Sequence, residues 1–415
     1  MLKITNLKTR VIFNSRGEKT IESEVFIGDV SGRFSSPSGA SVGVFEAPVF
    51  PTGGITEALN IVEREVKPKL IGFEFSNQEE IDKFLREIDG TENYSKLGSS
   101  VSLSISMAAA EAASKKLGIP LYKWILGEKR KPAIPIPLGN VVGGGKHAGG
   151  KACDIQEFLA FPLNAKSFRE CVSSIMLLHK LVGRKISNRD PFFMRGRNDE
   201  GAWVTTLPEV EILSIMEEAT SQIKEETGVK FGLGIDFAAT SLWSETSKMY
   251  VYSRSGKFRT RDEQIDFVLT LIKQFNLLYV EDPLHDKDFE GFKEITKKVR
   301  RTLICGDDLY VTSVSRLMLG TREKAGNCVI IKPNQVGDLT GSEKAAELAG
   351  NKGFKLVASH RSGETPTRHL AHIAVGFATD LIKAGIVGGE RVAKLNELIR
   401  IEEELGEEKL VKVKI

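Results

Sequence analysis

The chain has 415 residues, with 58 Lys and Arg against 55 Asp and Glu, a formal net charge of +3, 41% hydrophobic and 27% charged residues. That composition describes a folded globular protein of two or three domains, or one small domain plus a large barrel, and excludes a disordered chain, a collagen-like repeat or a disulfide scaffold. The near balance of charge leaves no footprint for nucleic acid or an anionic membrane surface, and no apolar run approaches the ~18–20 residues of a membrane span.

The opening residues, Met1–Phe13, alternate apolar and polar positions and lack the apolar centre of a secretory signal. Two alternating runs, Val11–Phe13 and Ile21–Ile27, flank the turn-prone Asn14-Ser15-Arg16-Gly17, and a third, Val30–Phe34, follows Gly28-Asp29. This predicts a hairpin or meander. Ser35–Gly43 is too rich in Gly and Ser to be an element and must be a loop. Ile55, Leu59, Val62 and Val66, then Ile81, Phe84, Leu85 and Ile88, recur at helical spacing, and Val101–Ala113 is a small-residue helix suited to close packing. The charged, Pro-punctuated stretch from Gly127 to Pro135 marks a boundary, so an α+β domain over 1–130 is expected to precede a larger one over 131–415.

Past that boundary the pattern changes. Short apolar runs end abruptly in charge: Phe231–Ile235 before Asp236, Leu277–Val280 before Glu281, Thr302–Gly306 before Asp307, Cys328–Ile331 before Lys332, and Lys355–Ser359 before His360. Helical patterns lie between them, over Asp262–Phe275, Asp288–Val299, Gly341–Ala349 and Thr367–Ala378. From Glu281 onward the charged ends follow one another at 26, 25 and 28 residues, the length of one strand-plus-helix unit of a parallel sheet. The expected class is α/β, a C-terminal β/α barrel after a smaller α+β cap. The cysteines, Cys153, Cys171, Cys305 and Cys328, form no CxxC pair and fall in apolar or helical pattern. They are expected as reduced core thiols of a cytoplasmic protein.

Active sites of such barrels lie at the C-terminal ends of the strands. One charged strand end is an ordinary surface feature, but five together are hard to obtain from packing alone. Asp236, Glu281 and Asp307 converging on one mouth cannot all stay ionised without a cation between them. All-oxygen ligation favours Mg²⁺ over Zn²⁺. Lys332 beside a dication is a candidate base, because positive charge and burial both lower an ammonium pKa. Metal plus Lys suits proton abstraction next to a carboxylate. Gly143-Gly144-Gly145 does not form a dinucleotide fingerprint. His179, His285, His369 and His372 read as surface or structural residues, Asp308 as a supporting carboxylate, and Arg195 and Arg197 as surface charge within reach of the pocket.

The motifs extend over nearly the whole chain: Ser15-Arg16-Gly17, Pro37-Ser38-Gly39-Ala40-Ser41, His147-Ala148-Gly149-Gly150, Gln156-Glu157-Phe158 and Asp199-Glu200-Gly201. They continue as Glu281-Asp282-Pro283, Asp307-Asp308-Leu309, Lys332-Pro333-Asn334-Gln335, Ser359-His360-Arg361-Ser362-Gly363-Glu364-Thr365 and Ala393-Lys394-Leu395-Asn396. In this order they resemble the enolase family, whose reaction interconverts 2-phosphoglycerate and phosphoenolpyruvate in glycolysis. The resemblance implies that Asp236, Glu281 and Asp307 hold a tighter Mg²⁺, with Ser41 joining a second that arrives with substrate. It makes Lys332 the general base, Glu200 the general acid supported by Glu157, and Lys383 a stabiliser of the enolate that also contacts substrate. Arg361 and Ser362 would bind phosphate, with Gln156, His147 and His360 lining the pocket and 38–43 forming a mobile lid. A homodimer or higher assembly of dimers is also implied.

The chain departs from the family pattern at Glu18-Lys19, Val42, Gly143, Lys146, Ala202 and Asp338, mostly near the loops and the approach to the pocket. No implied ligand, acid or base is lost. Three functions therefore stand at this level: the family reaction, the same chemistry on another phosphorylated or carboxylated hydroxy acid, or a retired fold used as a binding protein. The third would bury charges that only catalysis needs, at a cost in stability.

Overall fold

The computed structural model describes residues 1–39, 43–127, 130–148 and 152–412, so the expectations placed on Ser41 and Val42 lie outside the described residues. The first third is built on an antiparallel meander of Asn6–Phe13, Lys19–Ile27 and Val30–Ser35. Its first turn is tight because the Asn14 side-chain oxygen accepts the N–H of Arg16 at 2.9 Å and of Glu18 at 3.0 Å, while Gly17 takes a φ of 72°. Helix Ser99–Leu117 lies across this sheet, buried over most of its length. Its small residues have a direct cause. A Cβ on Gly32 would stand 2.1 Å from the Ala108 carbonyl and 2.3 Å from the Ala112 nitrogen, so helix and strand touch backbone to backbone.

The helix beginning at Gly54 differs from its expected face. Ala58 and Ile61 are buried, while Ile55 and Leu59 are only partly so. Val62–Val66 winds as a π-helix before the last turn, Lys67–Leu70, which carries Pro68 without an N–H to give. Helix Gln78–Asp89 follows with Ile81, Leu85 and Ile88 inward, opened by the Asn77 cap on Glu80 N and closed at Gly90.

The larger part is a closed sheet. Its parallel run is Phe231–Asp236, Tyr279–Glu281, Leu303–Gly306, Cys328–Ile331, Lys355–Ser359, Leu381–Lys383 and Ile136–Pro137. Gly139–Gly143 and Glu157–Pro162 complete it with antiparallel pairing. Only Leu138 separates Ile136–Pro137 at one end of the order from Gly139–Gly143 at the other, so the sheet returns onto itself as a barrel. Alternate side chains, including Leu159, Phe161, Tyr279, Cys305, Cys328 and Ile330, fill its interior, and all four cysteines are buried and free. Helices such as Arg261–Phe275, Phe289–Lys298 and Leu339–Asn351 connect the strands. Among the described residues, no helix is long and apolar enough to cross a membrane.

The meander sits over one mouth of the barrel. Ser38 and Gly363 exchange backbone hydrogen bonds at 2.9 Å, and Ala47 N donates to Gln335 O at 2.9 Å. Behind them a reciprocal polar clasp joins the two parts. Asp82 accepts from Thr340 N and Oγ1, while Asp338 accepts from Tyr94 Oη at 2.5 Å and pairs with Arg86 at 2.7 Å.

Candidate active site

The covered mouth holds a cavity of about 220 Å³ lined by Gln156, Glu157, Glu200, Asp236, Asp307 and Lys332 on its barrel side. His360, Arg361, Ser362 and Lys383 also line it, as do Lys146 and Asp308, and Gly43 and Glu46 are among the residues that reach it from the cap. Parallel register explains the convergence: Glu281 pairs with Asp236 and Cys305, and Ser359 pairs with Lys383. Glu157 reaches the same rim from the opposite chain direction. It opens an antiparallel strand and stands opposite Asp236.

Lys383 organises the carboxylates. Its Nζ lies 2.9 Å from Glu157, 3.1 Å from Asp236 and 2.9 Å from Glu281, all almost fully buried. Glu281 does not line the cavity; it lies beneath this ammonium and accepts from Tyr279 Oη at 2.6 Å. One ammonium cannot neutralise three carboxylates. Burial and then the charge of Glu200 push Glu157 well above the carboxylate range, and burial with Asp236 pushes Glu281 up to about 8. Burial opposes the charge of Lys383, but Asp236, Glu157 and Glu281 together raise it well above the ordinary lysine value.

Lys332 pairs with Asp307, whose other oxygen accepts from Gln335 Nε2 at 3.0 Å. Burial lowers the affinity of Lys332 for a proton, but the charges of Asp307 and Glu281 act together against it and the net shift is upward. Burial likewise raises Asp307, yet Lys332 brings it below the ordinary carboxylate value. Two buried ammonium groups, Lys332 and Lys383, thus stand among these carboxylates.

Backbone geometry near the strand ends is strained. Ala238, Asp282, Val311 and Thr312 have φ of 44°, 39°, 42° and 55°, a region that costs non-glycine residues about 1–3 kcal/mol each. At Thr312 the gain is visible: Oγ1 accepts from Lys332 N at 2.9 Å and donates to Gln335 Oε1 at 2.7 Å. Asp282 turns both oxygens to the backbone N–H of Asp307 and Asp308 at 3.0 and 2.8 Å. Asp282, Asp307 and Asp308 also each bring one carboxylate oxygen within 4.8 Å of the others. Burial, then the charge of Asp307, pushes Asp308 up to about 7.

On the opposite wall, Glu200 Oε2 accepts from Asn140 Nδ2 at 3.1 Å and lies 3.7 Å from His360 Nε2. Burial holds His360 well below its ordinary pKa, so the imidazole is neutral. Arg361 donates to Glu46 at 2.9 Å and to Asn334 at 3.1 Å, and Ser362 Oγ is buried with no hydrogen-bond partner among the described residues. Gln156 Nε2 donates to Asp236 at 3.3 Å.

The donor set fits a hard cation. Asp236, Glu281 and Asp307 offer only oxygen, lie on adjacent strands, and already attract two ammonium groups. His147 has its backbone in Gly145–Ala148, and its side chain, like Ser41, lies outside the described residues. Arg195 and Arg197 are exposed and do not line the cavity. Of the two places expected for them, surface or structural, His179, His369 and His372 take the second: they are buried and packed against Trp203, Phe34 and Tyr122 respectively. Sequence reasoning missed Asn140 and Glu46, which sit in no charged strand-end pattern, and Tyr279, which only its alternation with Glu281 along one strand could have exposed.

Comparison with known proteins matches residues 4–125 to the enolase N-terminal domain and 131–413 to the enolase C-terminal TIM barrel domain. A curated enolase of Methanosphaera stadtmanae is 44% identical over 403 residues, covering 97% of each chain. One of Archaeoglobus fulgidus is 44% identical over 410 residues, covering 99% of this chain and all of its own, and one of Pyrobaculum aerophilum is 43% identical over 411 residues, covering 98% and 97%.

Proposed function

The chain belongs to the enolase family and is a lyase of the phosphopyruvate hydratase type, and on that premise we propose that it carries out the Mg²⁺-dependent, reversible dehydration of 2-phosphoglycerate to phosphoenolpyruvate in glycolysis and gluconeogenesis. The observation that carries the reading is one cavity with a lysine on one wall and a glutamate on the other, above three carboxylates. Lys332 takes the C2 proton, the C3–O bond breaks as the C2–C3 double bond forms, and Glu200 gives its proton to the departing hydroxyl, which leaves as water. Glu157, whose carboxyl is pushed well above the ordinary range by burial and by Glu200, supports the acid.

Asp236, Glu281 and Asp307 would hold the tighter Mg²⁺, and Ser41 a second. Bound there, the metal supplies positive charge to the substrate carboxylate and its developing dianion. Asp307, now paired with Lys332, would serve that metal, and Lys332 is the base. Lys383 adds fixed positive charge beside the dianion. Arg361 and Ser362 take the phosphate, with Gln156, His147 and His360 completing the pocket. The domains are read as a cap over 1–130, with its lid, and a catalytic barrel over 131–415. A cytoplasmic homodimer, or an assembly of dimers, is proposed from the same family membership.

The test is the rate of phosphoenolpyruvate formation from 2-phosphoglycerate, followed by ultraviolet absorbance with Mg²⁺ and then with excess chelator. Turnover that vanishes on chelation and in Lys332→Ala, with the fold intact by circular dichroism, is the expected result. A folded protein that binds Mg²⁺ but leaves 2-phosphoglycerate untouched would transfer the chemistry to another hydroxy acid.

A further inference from the structure

Arg391, near the start of helix Gly389–Leu405, is completely buried. Its guanidinium makes four hydrogen bonds: Nη1 to His360 Nδ1 and to Arg361 O at 2.7 Å, and Nη2 to Asp199 O at 2.8 Å and Ser362 O at 2.7 Å. Glu390 lies 3.3 Å from its Nε. An arginine N–H can only donate, so His360 Nδ1 must present its lone pair. A neutral imidazole that accepts at Nδ1 carries its hydrogen on Nε2. That nitrogen is buried, makes no hydrogen bond among the described residues, and faces Glu200 Oε2 at 3.7 Å.

We propose that Arg391 is a positioning residue that fixes His360 as its Nε2–H tautomer, so that His360 and Asn140 aim two donors at the same oxygen of Glu200. The proposal rests on the reading of Glu200 as the general acid. Two donors facing Oε2 disfavour a hydroxyl there, so the acidic hydrogen of Glu200 sits on Oε1. Once that proton has left with the C3 hydroxyl as water, the same donors receive the carboxylate charge. The other tautomer would set Nδ1–H against a guanidinium N–H and turn an Nε2 lone pair on Glu200, making His360 a competitor for the acid's proton. The device therefore assists C–O cleavage and leaves removal of the C2 proton by Lys332 unaffected.

The first measurement is the ¹⁵N spectrum of the full-length chain labelled at histidine, with the His360 signals identified by their loss in His360→Gln. A neutral ring protonated at Nε2 is expected, and a ring protonated at Nδ1, or an imidazolium at neutral pH, would overturn the proposal. The second compares two rates on 2-phosphoglycerate in D₂O, exchange of the C2 hydrogen and dehydration. Arg391→Lys, which cannot serve four acceptors, is expected to lower dehydration on the order of 10²-fold while exchange stays near wild type. An equal fall in both rates would mean a structural role and refute the assignment.

Should Arg391→Lys fail to fold, His360→Asn and His360→Gln decide the matter. Asn keeps an atom at the Nδ1 position and loses the donor to Glu200, whereas Gln can carry an N–H to the Nε2 position. The ratio of dehydration to exchange is expected to collapse in Asn and to recover in Gln; equal ratios would refute the proposal. If the wild-type chain does not dehydrate 2-phosphoglycerate at all, the functional reading has failed, and the spectrum still decides the tautomer.

Discussion

Replacing Lys383 with Met removes the one ammonium that lies within 3.1 Å of Glu157, Asp236 and Glu281. All three are nearly inaccessible to water, and stripping one partner from a buried ion pair costs about 3–5 kcal/mol. At about 2.1 cal/mol/K per residue, cooperative unfolding of 415 residues carries roughly 0.9 kcal/mol/K, so the melting temperature falls by about 3–6 °C. The loss also has a pH signature. Burial and Asp236 already raise Glu281 to about 8 in the fold, against 4.5 for the free group, and removal of the ammonium raises it further. A carboxyl raised by folding adds stability that is full below its unfolded value and is lost as pH climbs through its folded value. The deficit of Lys383→Met is therefore small near pH 4.5 and grows through pH 8. Scanning calorimetry of both proteins across that window, without metal, measures it, and saturating Mg²⁺ is expected to narrow the gap. A deficit that does not change with pH would refute the view of Lys383 as the counter-charge of this cluster.

Glu46→Gln keeps a hydrogen-bonding group beside Arg361 but removes the anion with which a substrate phosphate must compete. Its KM for 2-phosphoglycerate is expected to fall severalfold while the free protein loses about 1–3 kcal/mol, and a raised KM in steady-state kinetics would argue that Glu46 only orients the arginine. Asp82 is raised to about 7 by burial and by Asp338, so its contribution to stability is lost as pH rises from about 4 through 7. Asp82→Asn should flatten a few kcal/mol of that slope in denaturant titrations, and an unchanged slope would remove Asp82 from the account. Gly32→Ala forces a methyl into the backbone of Ser99–Leu117, and a loss of at least about 1–3 kcal/mol is expected in urea unfolding; a neutral result would mean that helix and sheet can separate freely.

Much of the barrel and of its chemistry was legible in the chain because the signal is local. A run of apolar residues that stops at Asp236, Glu281, Asp307, Lys332 or His360 reports both a strand and the end at which it faces the mouth. The meander and the small-residue helix were legible for the same reason, since Asn14, Gly17 and the serines and alanines after Val101 act on their immediate neighbours. The helix after Gly54 was less so. Spacing alone chose Ile55 and Leu59 for the core, and a π-helix and Pro68 arranged the segment otherwise.

What the tertiary structure decided is which charges meet. Glu157 reaches the mouth only because its strand runs antiparallel to its neighbours, and Lys383 finds it from more than two hundred residues away. Glu46 meets Arg361 across 315 residues, and Arg391 meets His360 across the barrel rim. By itself the sequence determined the strands, their charged ends and the family. Only the closure of the barrel, which brings its strand ends to one mouth, determined that Lys332 and Lys383 pair with the carboxylates there. Strand periodicity is written within a few residues, whereas the proton affinity of a buried group depends on charges within a few ångströms, and the chain brings those together from everywhere along its length.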